Sequence, residues 1–238
     1  NLGWQSFASS PITFSDGSVY GTLCAVALPG EEALVPRDHI MLDVLARAAA
    51  VVIEPMFIQE REHGELVTMV QDLLAQGGPQ IVVQPIVTLE DDSRVGWEAL
   101  SRFPVDWAMA PDEAFDRAHS VGLGDALEVA AIRRAAELLE ELDGYLALNI
   151  SAHTALSDDA AELLATLPVG RIVLELSEHD KVQDYQLLQE RLAPFRERGL
   201  RLAIDDVGAG YSSLLHIVRM FPDVIKLDRA IVTGLADD

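Results

Sequence analysis

The sequence predicts an α/β protein built on a parallel sheet, and three observations lead to this prediction. Beyond Pro79, short apolar runs typical of strands alternate with stretches of helical periodicity. Repeated strand-then-helix order implies parallel strands joined by right-handed crossovers. The strand runs are apolar on both faces, which is typical of a closed barrel whose βα loops carry the functional site. We therefore expect a barrel in the second part of the chain.

The elements of this barrel alternate along the chain. The strand runs lie at residues 81–89, 95–103, 145–150, 171–176, 200–204 and 224–227. The helical stretches lie near residues 111–120, 125–142, 158–167, 183–198 and 211–220. In such an arrangement each strand delivers its last residues to the same edge of the sheet, where side chains from several strands can meet.

The start of the chain predicts a β-hairpin within the first 28 residues and a helix after Pro36. Residues 4–14 and 19–28 are β-like runs on either side of Ser15-Asp16-Gly17-Ser18. Asp-Gly between apolar runs indicates a hairpin, because glycine accepts the positive φ that tight turns require. A helical pattern follows Pro36, with apolar residues at Ile40, Leu42, Leu45, Ala49 and Ile53.

This hairpin and helix resemble the last part of a GAF sensor domain. The resemblance is carried by the stretch from Asp16 to Cys24. Residues 1–54 are therefore expected to be the C-terminal part of such a domain. Cys24 is interpreted as a small apolar residue on a core strand rather than a redox residue.

A connector helix is predicted for residues 55–78. Pro55 should kink or restart the helix because it lacks a backbone donor, and Gly77-Gly78-Pro79 should stop it. The segment is expected to pair with its copy in a homodimer, although an ordinary surface helix is an equally good interpretation. Residues 79–238 would then form a second domain, which contains the alternating strands and helices.

Composition excludes several classes of protein. The net charge of −22 argues against a polynucleotide partner, although a small anion can bind where metal ions supply positive charge. The single cysteine excludes an internal disulfide and favours the cytoplasm. No apolar run reaches the roughly 18 residues that a membrane span requires.

Acidic residues recur within or directly after the apolar strands, which is the main chemical signal. They are Glu98, Glu175, Asp205 and Asp206, and Asn149 ends the third run. Burying one unpaired carboxylate costs several kcal/mol, so such a group calls for shared positive charge. Oxygen ligands of this kind suit Mg²⁺ or Mn²⁺, and these residues offer enough oxygens for two ions. Lys226, one of only two lysines, should share a strand face with Asp228.

These residues resemble the EAL phosphodiesterases from about Gln80 onward. The matching blocks, in order, are Gln84-Pro85-Ile86-Val87, Glu98-Ala99-Leu100, Asn149-Ile150-Ser151, Glu175-Leu176-Ser177-Glu178, the stretch from Asp205 to Leu214, and Lys226-Leu227-Asp228. The resemblance implies a (β/α)₈ TIM-like barrel that hydrolyses cyclic di-GMP to the linear dinucleotide with Mg²⁺ or Mn²⁺.

The resemblance also implies a role for each residue. The first ion would bind Glu98, Asn149, Glu175 and Asp205, and the second would bind Asp205 and Asp206. Lys226 would contact the catalytic water, and the catalytic set would be Lys226, Glu98 and Asp205. Substrate would contact Gln84 and Arg102. Supporting and loop positions would be Glu178, Asp228, Gly208, Gly210, Ser212 and Ser213.

The chain departs from the family pattern at a few places. His119 stands where the family often has an acid, and we interpret it as a packing histidine rather than a ligand. The family continues for about two more strand and helix units beyond Asp228, so the barrel is expected to be incomplete after its sixth strand. The 238-residue chain alone is expected to have weak or no activity. The alternative function is an inactive EAL module that serves as a cyclic di-GMP receptor or interaction domain.

Overall fold

The structure is a computed structural model that describes residues 4–180, 182–208 and 217–235. The chain divides into two compact units, Asn1–Glu65 and Leu66–Asp238. Among the described residues, no helix combines the length and the apolar character needed to cross a membrane.

The first unit contains a hairpin and most of a long helix. Strands β1 (Ser6–Thr13) and β2 (Val19–Ala27) pair antiparallel, as predicted. The turn is closed by the Asp16 carboxylate, whose Oδ1 accepts the Ser18 N–H at 2.8 Å. The hairpin packs on the helix through a small cluster formed by Ile12, Phe14, Ala46 and Ala50.

Helix α1 (Pro36–Ala75) is continuous, so the predicted restart of the helix at Pro55 is wrong. Pro55 lies inside the helix, where proline removes one backbone hydrogen bond without ending the element. A second correction concerns Cys24, which is exposed on β2 rather than part of a core. It lies on the strand face opposite that of the buried residues, because strand side chains alternate.

Helix α1 ends within the second unit at a glycine pair. The Gly77 and Gly78 N–H groups donate to the carbonyls of Leu74 and Leu73, each at 2.9 Å. Both glycines have positive φ, and a Cβ at Gly78 would lie 2.9 Å from the Ala130 Cβ. Glycine is therefore required at Gly78 both for its conformation and for this close approach.

The second unit is organised around one six-stranded sheet. Its strands lie in chain order: β3 (Gln80–Val87), β4 (Arg94–Arg102), β5 (Tyr145–Asn149), β6 (Ile172–Ser177), β7 (Arg201–Val207) and β8 (Val224–Leu227). Strands β4 to β8 are parallel, which confirms the predicted α/β class.

The first strand of this sheet runs against the others, which corrects the expectation of parallel strands throughout. Strand β3 forms an antiparallel hairpin with β4. The loop of residues 88–93 is too short for a parallel crossover, which needs a dozen or more residues. The Asp91 carboxylate holds this loop by accepting hydrogen bonds from Thr88 Oγ1 at 2.5 Å and the Ser93 N–H at 3.1 Å.

The helices that follow α1 are α2 (Pro111–Ser120), α3 (Gly124–Glu137), α4 (Ala152–Ala155), α5 (Asp158–Thr166), α6 (Tyr185–Arg196) and α7 (Arg229–Leu235). Buried side chains of α3, α4, α5 and α6 form one core cluster with the strands, so these four helices cover one face of the sheet. Part of the helix predicted near residues 211–220 lies outside the described residues. Side chains that cap two of these helices are Ser157, which accepts the Ala160 N–H, and Asp184, which accepts the Leu187 N–H.

Strand alternation gives the sheet two different faces. The helix-covered face bears large apolar side chains, among them Leu146, Leu148, Ile172, Leu174, Leu202 and Ile204, all at most 2% exposed. The other face bears a separate cluster of small residues centred on Ala147, Val173 and Ala203. The next inward positions on β6 and β7 are Glu175 and Asp205, so the acids stand directly above this small-residue layer.

Candidate functional site

Three carboxylates from three strands meet above the small-residue layer. Glu98 on β4, Glu175 on β6 and Asp205 on β7 each place one oxygen within 4.8 Å of the other two. Glu175 is only 3% exposed. The sequence brings them together because parallel neighbours keep register: Glu175 lies opposite Ala203, and Ser177 lies opposite Asp205. Three acidic oxygen donors in this space suit a hard divalent cation.

Lys226 on β8 contacts all three acids. Its Nζ donates to Glu98 Oε1 at 3.1 Å, to Glu175 Oε2 at 2.8 Å and to Asp205 Oδ2 at 2.5 Å. Burial by itself would lower the pKa of Lys226, but the Glu175 and Asp205 carboxylates raise it above its ordinary value. The lysine is therefore a fixed positive charge at this site.

One ammonium does not balance three carboxylates. Burial raises the pKa of Glu175 to about 7; Lys226 opposes the rise, while Glu98 and Asp205 add to it. The cluster therefore holds a surplus of negative charge that a further cation would neutralise. The donor set fits a divalent ion both in its oxygen chemistry and in its charge.

Asp206 diverges from Asp205 because the backbone changes direction between them. Asp206 has a φ of 56°, in the left-handed region that few non-glycine residues adopt. The β7–β8 pairing is irregular over the same stretch, between Ile204 and Val207. Partial burial and the neighbouring acids Asp205 and Asp228 raise the pKa of Asp206. The side chains of these two adjacent aspartates therefore lie in different surroundings.

A cavity of about 670 Å³ opens beside this cluster. The predicted residues in its lining are Arg102, Asn149, Glu175 and Asp206. Asn149 lies opposite Glu175 in the β5–β6 register. Gln84 lies opposite Glu98 in the β3–β4 register and is exposed, and it is not among the lining residues that the structure describes.

The EAL domain family model matches residues 67–238, which is more than half of the chain. The chain belongs to the EAL domain family. Its EAL domain therefore includes the sheet, the carboxylate cluster and the cavity described above.

Relatives of this EAL domain include proteins named for cyclic di-GMP. The probable cyclic di-GMP phosphodiesterase PdeB of Escherichia coli is 28% identical over 179 residues, which cover 69% of this chain and 34% of PdeB. An uncharacterized protein of Mycobacterium tuberculosis is 30% identical over 171 residues, which cover 66% of this chain and 27% of that protein. The chain thus spans about a third of the length of PdeB and about a quarter of the length of the mycobacterial protein.

A solved relative has the same fold. BlrP1 of Klebsiella pneumoniae, determined as a manganese and cyclic di-GMP complex, is 28% identical with a TM-score of 0.56. The match covers 66% of this chain and 42% of BlrP1. A second BlrP1 structure holds calcium with the same dinucleotide.

A buried acid supports the start of the segment that follows β7 in the EAL domain. Glu178 Oε2 accepts the Gly208 N–H at 3.0 Å, and the Glu178 N–H donates to the Asp205 carbonyl at 3.0 Å. The Asp228 N–H donates to the Val207 carbonyl at 3.1 Å. Both predicted supporting acids therefore lie beside this segment. The other predicted loop positions, Gly210, Ser212 and Ser213, lie outside the described residues.

Sequence reasoning missed a polar pair at the cavity wall. Glu128 on α3 is 7% exposed, and its Oε1 lies 2.7 Å from His119 Nε2. The hydrogen bond to Glu128, opposed by partial burial, raises the pKa of His119. His119 is thus ion-paired rather than a simple packing residue. The only signal was the histidine itself, because nothing in the sequence links it to an acid nine residues later.

Proposed function

We propose that this EAL domain is a metal-dependent phosphodiesterase that hydrolyses cyclic di-GMP to the linear dinucleotide. The observation that carries the proposal is the convergence of Glu98, Glu175 and Asp205 on Lys226 Nζ. The chemistry named for PdeB and the ligands of BlrP1 give the substrate class.

The cations are Mg²⁺ or Mn²⁺, held by side chains at the ends of the parallel strands. Glu98, Asn149, Glu175 and Asp205 would hold one ion, and Asp205 and Asp206 would hold a second. Such ions would supply Lewis-acid chemistry, which polarises a phosphodiester and makes water a better nucleophile. The proposal is supported by the surplus negative charge that Lys226 leaves at the cluster.

Lys226 orients the attacking water and offsets the negative charge that builds on the phosphate. Its three carboxylate contacts fix the Nζ position before substrate arrives, so little reorganisation is needed during reaction. The Glu98 and Asp205 carboxylates complete the catalytic set by holding the ammonium and the ions. In the reaction, the water oxygen bonds to phosphorus, the P–O bond to one ribose oxygen breaks, and the released ribose oxygen gains a proton in place of the one that the water loses.

Arg102 and Gln84 contact the substrate. Arg102 is exposed at the end of β4 and lines the cavity, where its guanidinium can form paired hydrogen bonds with phosphate oxygens. The cavity of about 670 Å³ falls within the range of about 300–1,000 Å³ that is usual for small-molecule sites.

The remaining sequence predictions are part of the same proposal. The six strands belong to a (β/α)₈ barrel, residues 1–54 to a GAF-like sensor that regulates it, and residues 55–78 to a connector that pairs in a cytoplasmic homodimer. Exposed apolar side chains at the start of this connector, Met56, Phe57 and Ile58, support its pairing with a second copy.

The test is conversion of cyclic di-GMP by the full-length protein with Mg²⁺ or Mn²⁺, measured by chromatography. We expect linear dinucleotide with either ion, none after chelation, and none from Glu98→Ala. Glu137→Gln, on an exposed position of α3, should match the wild type. Dinucleotide binding without any product over a day would instead establish the inactive receptor alternative.

A further inference from the structure

We propose that Glu128 and His119 are positioning residues that fix the turn after β5 and thereby the direction of Asn149. The proposal rests on the proposed function, in which Asn149 is a metal ligand. It gives a role to the ion pair of Glu128 and His119, which is not part of the carboxylate cluster.

Glu128 joins helix α3 to this turn. Its Oε2 accepts the Ser151 N–H at 2.7 Å, while its Oε1 pairs with His119 Nε2 at 2.7 Å. Because Glu128 is buried, each of its carboxylate oxygens needs a hydrogen-bond partner, and loss of either partner leaves one oxygen unsatisfied. Helix α2, which carries His119, is thereby tied through Glu128 to the turn.

Two further acids hold the same turn and the short helix α4 that follows it. Burial raises the pKa of Asp180 to about 6, and the Ala152 backbone N–H, which donates a hydrogen bond to the Asp180 carboxylate, opposes that rise. On the other side, Asp125 Oδ1 accepts the Thr154 Oγ1–H at 3.0 Å and lies 2.7 Å from His153 Nδ1. Acidic residues from α3 and from the loop after β6 therefore accept hydrogen bonds from the turn and from α4.

Asn149 lies two residues before Ser151, whose N–H donates to Glu128. It lies opposite Glu175, and the Ile150 N–H donates to the Glu175 carbonyl at 3.0 Å. A shift of Ser151 would therefore move Asn149 relative to the carboxylate cluster. Partners of this kind orient metal ligands, and their loss typically lowers metal affinity about 10- to 100-fold.

The experiment compares two pairs of variants in the full-length protein. Glu128→Gln keeps the side-chain shape and removes the charge, and Glu137→Gln is its exposed control on α3. His119→Gln removes the ion-pair partner, and His63→Gln on the exposed surface of α1 is its control. Amide hydrogen exchange at Ser151 is measured by NMR without metal, and Mn²⁺ affinity is measured by calorimetry.

We expect exchange at Ser151 to be about tenfold faster or more in Glu128→Gln, since hydrogen bonds to charged groups contribute more than neutral ones. His119→Gln should give a smaller increase, and Mn²⁺ affinity should fall about 10- to 100-fold in Glu128→Gln. Both controls should match the wild type. These results together would support the proposal.

Three results would overturn it. One is unchanged exchange at Ser151 in Glu128→Gln, and another is equal acceleration at the core amide of Leu174, which would mean general destabilisation. The third is faster exchange at Ser151 with unchanged Mn²⁺ affinity. Failure of the proposed function would look different, because the wild type would then show no turnover with any ion while the exchange comparison still decided the role of Glu128.

Discussion

Lys226 Nζ lies 2.5 Å from Asp205 Oδ2. This ion pair joins the neighbouring strands β7 and β8 on the sheet face that bears the carboxylate cluster. The same ammonium reaches Glu175 and Glu98 on more distant strands. One side chain therefore links four of the six strands of the sheet. The site and the stability of the sheet depend on this shared charge.

Replacing Lys226 by methionine tests that dependence. The metal-free protein should lose stability, because three carboxylates would then face one another without a cation. Turnover should fall about 10²- to 10³-fold, as for loss of one preorganised charge contact. Thermal unfolding and product formation are the measurements, with Arg133→Met on the exposed face of α3 as control. Equal stability and turnover in Lys226→Met and the control would contradict the account.

Metal binding should stabilise the folded protein. At Mn²⁺ concentrations 100 times the dissociation constant, the expected gain is about 2.7 kcal/mol. Glu175→Gln should abolish most of this gain because it removes one acidic donor from the cluster. The change in melting temperature with and without Mn²⁺ measures it. A gain of the same size in Glu175→Gln would show that the ion binds elsewhere.

Stability without metal should fall as the pH rises from about 4 to 6. Burial is the largest cause that raises the pKa of Asp180, from 3.8 to about 6. The folded protein therefore holds this proton more tightly than the unfolded chain. The resulting stability is lost as the pH rises through the pKa of Asp180 in the folded protein. The contribution is at most about 3 kcal/mol.

The comparison for this pH effect is Asp180→Asn against Asp159→Asn, an exposed position on α5. Urea unfolding between pH 4 and 7 with a chelator measures the slope. Asp180→Asn should flatten the slope, whereas Asp159→Asn should keep it. An identical slope in both variants would place the titrating group elsewhere.

Gly78 should tolerate alanine less well than Gly122. Both have positive φ, but a Cβ at Gly78 would meet Ala130 at 2.9 Å, whereas one at Gly122 would meet nothing within 4 Å. The backbone cost of about 1 kcal/mol is shared, so the overlap should add about 1–3 kcal/mol at Gly78. Chemical unfolding of the two alanine variants gives the difference. Equal costs would mean that helix α3 moves away freely.

Much of the site could be predicted because strand alternation is a local property. Glu175 and Asp205 follow Val173 and Ala203 by two residues, so each acid shares a face with a small residue, and parallel register aligns the strands. The antiparallel β3 could also have been predicted from its short connection to β4.

The rest could not be predicted because it depends on contacts between distant parts of the chain. Ser151 meets Glu128 across 23 residues, and no periodicity links them. The direction of the Asp206 side chain depends on a positive φ, and a positive φ at a non-glycine residue cannot be predicted from the sequence. Likewise, the continuity of α1 through Pro55 reflects the helical context on both sides.

The central claim is metal-dependent hydrolysis at the cluster of Glu98, Glu175 and Asp205, and the most direct test is isotope incorporation. The full-length protein is incubated with cyclic di-GMP and Mn²⁺ in ¹⁸O-water, and the product is analysed by mass spectrometry. The account predicts linear dinucleotide that carries one ¹⁸O atom in its new terminal phosphate, and none from Asp205→Asn. Absence of linear product from the wild type, or product without ¹⁸O, would contradict it.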